Sequence, residues 1–138
     1  MEINNQDGFR ECEHTADGEI EVCAQLLPAL FVWAARGMYA LMGMQFKSAP
    51  RCSHALHLTA ADDEGLLVNF LSELLYFYEQ KQQAFDSFDI HIQEHSLHAR
   101  LEGAVIDAII QPIKAVTYHH LAINHQDGLY RVRIVFDL

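Results

Sequence analysis

The stretch Ile113 to Leu121 reads IKAVTYHHL and places an ammonium, a phenol and two imidazoles close together, at Lys114, Tyr118, His119 and His120. Its apolar and β-branched residues alternate loosely with polar ones. That is a strand pattern, since successive side chains of a strand point to opposite faces. A half-exposed strand needs none of these reactive groups, and its plain reading is a solvated polar face. Two carboxylates stand at opposite ends of the chain. Asp17 comes just before the first apolar alternation, and Asp137 is the next-to-last residue. If the first and last strands are neighbours, the two can meet, with main-chain oxygen from Leu138 beside them. Oxygen ligands suit hard cations such as Ca²⁺, Mg²⁺ or Mn²⁺. Taken singly, Asp17 reads as a turn or cap residue and Asp137 as a solvated strand end.

Other chemistries lack their signatures. The nine histidines form no HExxH. His54, His57, His91, His95, His98 and His125 are spread singly and read as exposed or edge-of-sheet residues. GxSxG, Walker and GxGxxG motifs are absent. Cys12, Cys23 and Cys52 form no CxxC pair, which predicts free thiols in a reducing cytoplasm rather than a zinc site.

The elements that must position these groups follow from periodicity. Ile20 and Val22 alternate with acids, predicting a short strand over 19–23. A helix over 25–44 has Pro28 in its first turn, an apolar stripe from Leu30 to Met42 and an end near Gly43. Residues 47–51, with Pro50, read as a turn, and 53–60 as a strand. Asp62 and Asp63 cap a second helix whose stripe runs from Leu66 to Tyr78 and which closes at 80–83. Glu73 lies on its polar face. Strands are predicted over 85–93 and 96–102, with a tight turn at His95-Ser96. Residues 103–112 lack clean alternation and read as an irregular loop or edge strand. Two more strands, 113–125 and 129–137, flank Gln126-Asp127-Gly128, and Asp-Gly is a strong hairpin signal. The pattern predicts an α+β fold: two helices packed on a largely antiparallel β-sheet in a single two-layer domain over 1–138, with a loose segment at 1–12.

Composition restricts partners. A chain of 138 residues with 51% hydrophobic content can bury a core. No apolar run approaches the ~20 residues of a membrane span. MEINNQDGFRE lacks a basic region followed by an apolar one, so no signal peptide is expected. Nineteen acids face nine bases, for a net charge of −10, and the bases are scattered. Direct nucleic-acid binding is not expected, because phosphate contacts need clustered Lys and Arg. An acidic surface suits a basic protein partner or a cation.

Four segments together, EHTAD (13–17), DDEGLLVNFLSELLYFYE (62–79), IKAVTYHHL (113–121) and RIVFDL (133–138), resemble the archease family in order and rough spacing. That family consists of small activators of the RtcB-type, GTP-dependent RNA ligase that joins tRNA halves. The resemblance implies a cytoplasmic, non-catalytic protein cofactor that promotes guanylylation of the ligase's active-site histidine and allows repeated turnover. It implies a divalent-metal site at Asp17, Asp137 and a backbone oxygen of Leu138, and activation residues at Lys114, His119 and Glu73. The chain departs from the family pattern at Gly18-Glu19, at Ala104, and in the apolar run 105–110. Two rival readings remain at this level. One is a small metal-dependent hydrolase using Asp17, Asp137 and His119, the last as general base. The other is a metal-free, chaperone-like binding module.

Overall fold

Strand β8 (Leu129–Asp137) is the spine of the larger of two antiparallel sheets. In this computed structural model, which describes residues 7–12 and 18–138, that sheet runs β1 (Gly8–Glu11), β2 (Gly18–Ala24), β8, β6 (Ala115–Val116). The short β7 (Asn124–Gln126) also pairs with β8, through Asp127-Gly128, whose φ values of 55° and 76° suit the predicted hairpin. The second sheet orders β3 (Gln45–Thr59), β5 (Ser96–Ala108) and β4 (Gln83–Gln93). The fold is α+β and antiparallel, as the periodicity predicts, but its strands divide between two sheets. Local alternation identifies strands; which strands pair depends on contacts between distant parts of the chain.

Helix α1 (Leu27–Met42) carries Pro28 in its first turn and ends on Gly43, whose φ of 64° is the left-handed cap that glycine favours. Helix α2 (Asp63–Tyr76) starts on Asp62, whose carboxylate accepts the Gly65 N–H at 2.7 Å. It runs into a π-helical turn, Phe77–Lys81, closed by Gln82 at φ 53°. Both helices touch both sheets: α1 packs on β1, β2 and β8 and also on β4, while α2 meets β6 and β3. Ile20, Val22, Ile134 and Phe136 from the larger sheet and Leu97 and Leu101 from the smaller join one core with the helix stripes. Phe31 of α1 and Phe70 of α2 meet there at 5.7 Å between ring centroids.

Five local expectations are corrected. Residues 8–11, expected to be loose, form β1. Phe9 anchors them against Trp33, at 6.3 Å between rings, and Arg10 pairs with Glu21 at 2.8 Å. One apolar residue carries no period, so this strand is invisible to pattern reading. Residues 47–51 are not a turn but part of β3. The five steps from Phe46 to Arg51 face only two steps of β5, from Ile106 to Ala104, so the extra residues bulge. Proline is tolerated there because β3 is an edge strand.

Residues 103–108, read as a loop or edge strand, continue the central strand β5. A Cβ on Gly103 would collide with the Ala84 carbonyl oxygen, and a register shift on the β4 side breaks the alternation. The turn expected at His95-Ser96 sits one residue earlier, at Glu94-His95, with φ values of 51° and 61°, and Ser96 joins the ladder. Finally, 113–125 is not one strand. Only Ala115–Val116 and Asn124–Gln126 pair, and 117–123 forms a loop. Local side chains take over its backbone groups. The Thr117 hydroxyl accepts the His119 N–H at 3.2 Å, and the Glu64 carboxylate accepts the Ile123 N–H at 2.9 Å.

Candidate functional site

The C-terminal half of β8 lies between the two segments that carry the other candidate residues. On one side β2 begins, with Gly18 opposite Phe136. On the other side β6 pairs Ala115 with Asp137 and Val116 with Phe136. Lys114 donates its backbone N–H to the Asp137 carbonyl at 2.8 Å. Thr117 donates both its N–H, at 3.0 Å, and its hydroxyl, at 2.9 Å, to the Val135 carbonyl. The first and last long strands of the sequence are therefore neighbours.

Alternation sets the faces. Val132, Ile134 and Phe136 are buried, so Arg131, Arg133 and Asp137 point outward, and all three are exposed. Leu138, on the same face as Ile134 and Phe136, packs beside the start of β2. Its Cδ2 lies 3.2 Å, and Leu41 Cδ2 2.7 Å, from where a Cβ on Gly18 would sit. Only glycine lets these two leucines close over the start of β2.

The outward face beside this end carries an ion-pair ladder that periodicity does not reveal. Arg10 meets Glu21 at 2.8 Å, and Arg133 meets Glu19 at 2.8 Å and Glu21 at 3.5 Å, so three strands are bridged. Glu19 is buried and satisfied by Arg133, as a buried carboxylate must be. Burial opposes ionisation of Glu21, but the hydrogen bonds and charges of Arg10 and Arg133 outweigh it and hold that carboxyl below its ordinary range. Burial, partly countered by Arg133, pushes the Cys12 thiol up. Among the described residues Cys12, Cys23 and Cys52 form no disulfide, as their spacing predicts.

Lys114, Asp137 and Leu138 are thus brought together at one end of the sheet. Asp17 lies outside the described residues, as does the rest of EHTAD, but it is covalently joined to Gly18 at that end. His119 is exposed in the loop beyond β6, its ring stacked on His120 at 4.0 Å and 17°. The loop is tied to the first turn of α2 through Glu64. Glu73 lies on α2, half-exposed. It is eight residues beyond Gly65, or about 12 Å along the axis. Among the described residues no hydrogen bond or ion pair joins His119 or Glu73 to Asp137.

Two carboxylates and a main-chain oxygen would make a hard-oxygen donor set. Among the described residues the Asp137 carboxylate is exposed and meets no cation, so its oxygens remain available as ligands. Asp17, Asp137 and Leu138 therefore fit a divalent cation chemically. Among the described residues alone, no three His, Cys, Asp or Glu side chains converge on one point. Sequence reasoning missed Thr117, Glu64 and the Glu19–Arg133 pair. A threonine two residues before a histidine and an acid in the first turn of a helix carry no distinctive spacing.

Comparison with known proteins decides the family. The profile of the archease protein family matches residues 9–138. The chain belongs to the archease family. It is 28% identical to protein archease of Sulfurisphaera tokodaii, across 94% of this chain and 98% of that one. It is 30% identical to protein archease of Methanosarcina mazei, across 94% and 95%. The solution structure of Methanobacterium thermoautotrophicum protein 1598 superposes with a TM-score of 0.71 at 25% identity, covering 95% of this chain and 99% of that one. A crystal structure of an archease, possible chaperone, from Thermotoga maritima gives 0.70 at 19% identity, over 94% and 96%, and shares the fold. Among the described residues, this archease has no helix long and apolar enough to cross a membrane.

Proposed function

We propose that this archease is a non-catalytic, cytoplasmic protein cofactor of an RtcB-type, GTP-dependent RNA ligase. In this reading it promotes guanylylation of the ligase's active-site histidine and supports repeated turnover in tRNA splicing or RNA repair. The observation that carries the reading is the placement of β8. Its end takes Lys114 on one side and the residue after Asp17 on the other, so segments far apart in sequence converge at Asp137.

Asp17, Asp137 and the main-chain oxygen of Leu138 would hold the divalent cation. Such a cation supplies positive charge against phosphate oxygens. Lys114 is exposed, and its backbone bond to Asp137 fixes where its stem leaves the sheet. Its ammonium is free to reach a carboxylate, a nucleotide or the ligase. In this reading His119, exposed in the loop after β6, and Glu73, on α2, would contact the ligase as well. The hydrolase reading is less well supported: the His119 ring stacks on His120 and meets no carboxylate among the described residues.

The test is ligase guanylylation, followed with labelled GTP, with and without this protein. Stimulation beyond one turnover is expected, and Asp137→Ala should remove it without unfolding the chain. An equal guanylylation rate with and without the wild-type protein would overturn the proposal. Metal-dependent turnover of phosphate esters by the isolated chain, lost in Asp137→Ala, would favour the hydrolase instead.

A further inference from the structure

The longest strand of the fold is paired on one side only. β3 bonds to β5, and among the described residues no strand lies along its other edge. One bond tells which backbone groups face that edge. Ala60 donates its N–H to the His95 carbonyl at 3.1 Å. Bonded residues alternate along an antiparallel pair. Leu58, Leu56, His54 and Cys52 therefore turn their N–H and C=O groups to β5, while Thr59, His57, Ala55, Ser53 and Arg51 turn theirs outward. In keeping with this phase, the Thr59 carbonyl accepts from the Asn69 amide of α2, at 3.5 Å, rather than from β5.

Sheet edges are commonly blunted by short length, charge, proline or a bulge. β1 and β6 are short. The edge strand β4 has Asp86, Asp89 and a register shift between Phe85 and Ser87. On β3 these devices stop halfway, since Lys47, Pro50 and the bulge all precede Arg51. Residues 52–59, CSHALHLT, have none of them and keep an unbroken register with β5. Such an edge is a template for a further strand.

Two features select a second copy of this chain as that strand. The first is charge. All nineteen acids lie outside 45–59. Two chains of net charge −10 can meet here without setting acid against acid, and Arg51 is already matched by Asp86 at 2.8 Å. The second is self-complementarity. In an antiparallel pairing centred on Ala55, Ala55 meets the partner's Ala55, and Ser53 meets the partner's His57. These are outward-bonding positions, so N–H and C=O groups face each other across the two-fold axis. On the core side His54 meets the partner's Leu56, and Cys52 meets the partner's Leu58. These four are only half-buried in the single chain, whereas Leu97 and Leu101 of the central strand are fully buried. Pairing would cover the remaining apolar surface.

We propose that this archease forms a two-fold dimer by antiparallel pairing of residues 51–59 with the same residues of a second copy, so that the two smaller sheets become one continuous sheet. The inference does not rest on the ligase reading.

Analytical ultracentrifugation of the full chain over a concentration series tests it, with amide exchange followed by NMR. A reversible monomer–dimer equilibrium is expected, with exchange at Ser53, Ala55 and His57 slowing as the dimer forms. Ala55→Lys sets like charges face to face and should raise the dissociation constant about fivefold or more. Ala55→Cys should give a disulfide-linked dimer on mild oxidation, because a bonded pair holds its Cα atoms about 5.5 Å apart, within disulfide range. Ser53→Cys should not, since the two copies of residue 53 stand four residues out of register, about 13 Å along the strands. A monomer at every concentration would overturn the proposal, as would a wild-type dissociation constant in Ala55→Lys or equal cross-linking of the two cysteine variants. A chain that stays monomeric, and whose ligase stimulation is lost in Ala55→Lys, would give this edge to the ligase and equally overturn the dimer. Ala55 and Ser53 are exposed, and far-UV circular dichroism confirms that each variant is folded.

Discussion

Replacing Gly18 by alanine tests how the start of β2 is closed against the end of β8. The new Cβ would lie 2.7 Å from Leu41 Cδ2 and 3.2 Å from Leu138 Cδ2. Both are ends of flexible side chains, so the clash is relieved by rotating leucines rather than by moving backbone. Leu41 is half-buried against the core and cannot swing far without opening space. Modest overpacking of this kind costs about 1–2 kcal/mol. For a domain of this size that corresponds to a fall in Tm of roughly 3–8 °C. The assay is thermal unfolding by circular dichroism, for Gly18→Ala, Leu41→Ala and the double variant. Removing the Leu41 branch takes away the closest contact, so the double variant should be more stable than the sum of the single effects by about 1 kcal/mol. A Gly18→Ala protein as stable as wild type, or strictly additive effects, would refute the packing argument. A functional corollary attaches to Leu138. Displacing its side chain disturbs the residue proposed to lend a main-chain oxygen to the cation, so Gly18→Ala should lower ligase stimulation more than its stability loss explains.

Asp137→Ala should abolish stimulation of guanylylation while moving Tm by no more than about 2 °C, because the side chain is exposed and no packing is lost. Lys114→Ala should weaken stimulation at unchanged Tm, since the backbone bond to Asp137 survives the substitution. Glu21 supplies a pH prediction. Its folded pKa is lowered, so its contribution to stability is full above the unfolded pKa and is lost as pH falls through the folded one. Arg10→Met, which removes the strongest of the lowering interactions and leaves the Glu19–Arg133 pair intact, should flatten this acid-side dependence in a series of melts below about pH 5. Gel shift with a tRNA half should show no binding by this chain alone at physiological salt, and its association rate with the ligase should fall as salt rises.

Much of this architecture is legible in the residues, and the limit has a physical cause. The two helices are announced by their stripes and by local start and stop signals: Pro28 and Gly43 on α1, Asp62 on α2. The Asp127-Gly128 hairpin is equally local. The α+β class follows from these, and the family resemblance from four short segments. What sequence could not decide was long-range pairing. Whether β2 lies beside β8, and hence whether the two ends of the chain share a site, depends on a register between residues more than a hundred positions apart. The splitting of 113–125 into a loop was hidden because its competitors, Glu64 and the Thr117 hydroxyl, act through tertiary or side-chain bonds rather than through periodicity. The strand over 103–108 was hidden because a bulge in its partner disturbs the alternation that would have announced it. The histidines illustrate the same division. In sequence His57, His91 and His98 are isolated residues of three different strands. Only the antiparallel register of β3, β5 and β4, which brings residues from separate strands to one level, makes them neighbours.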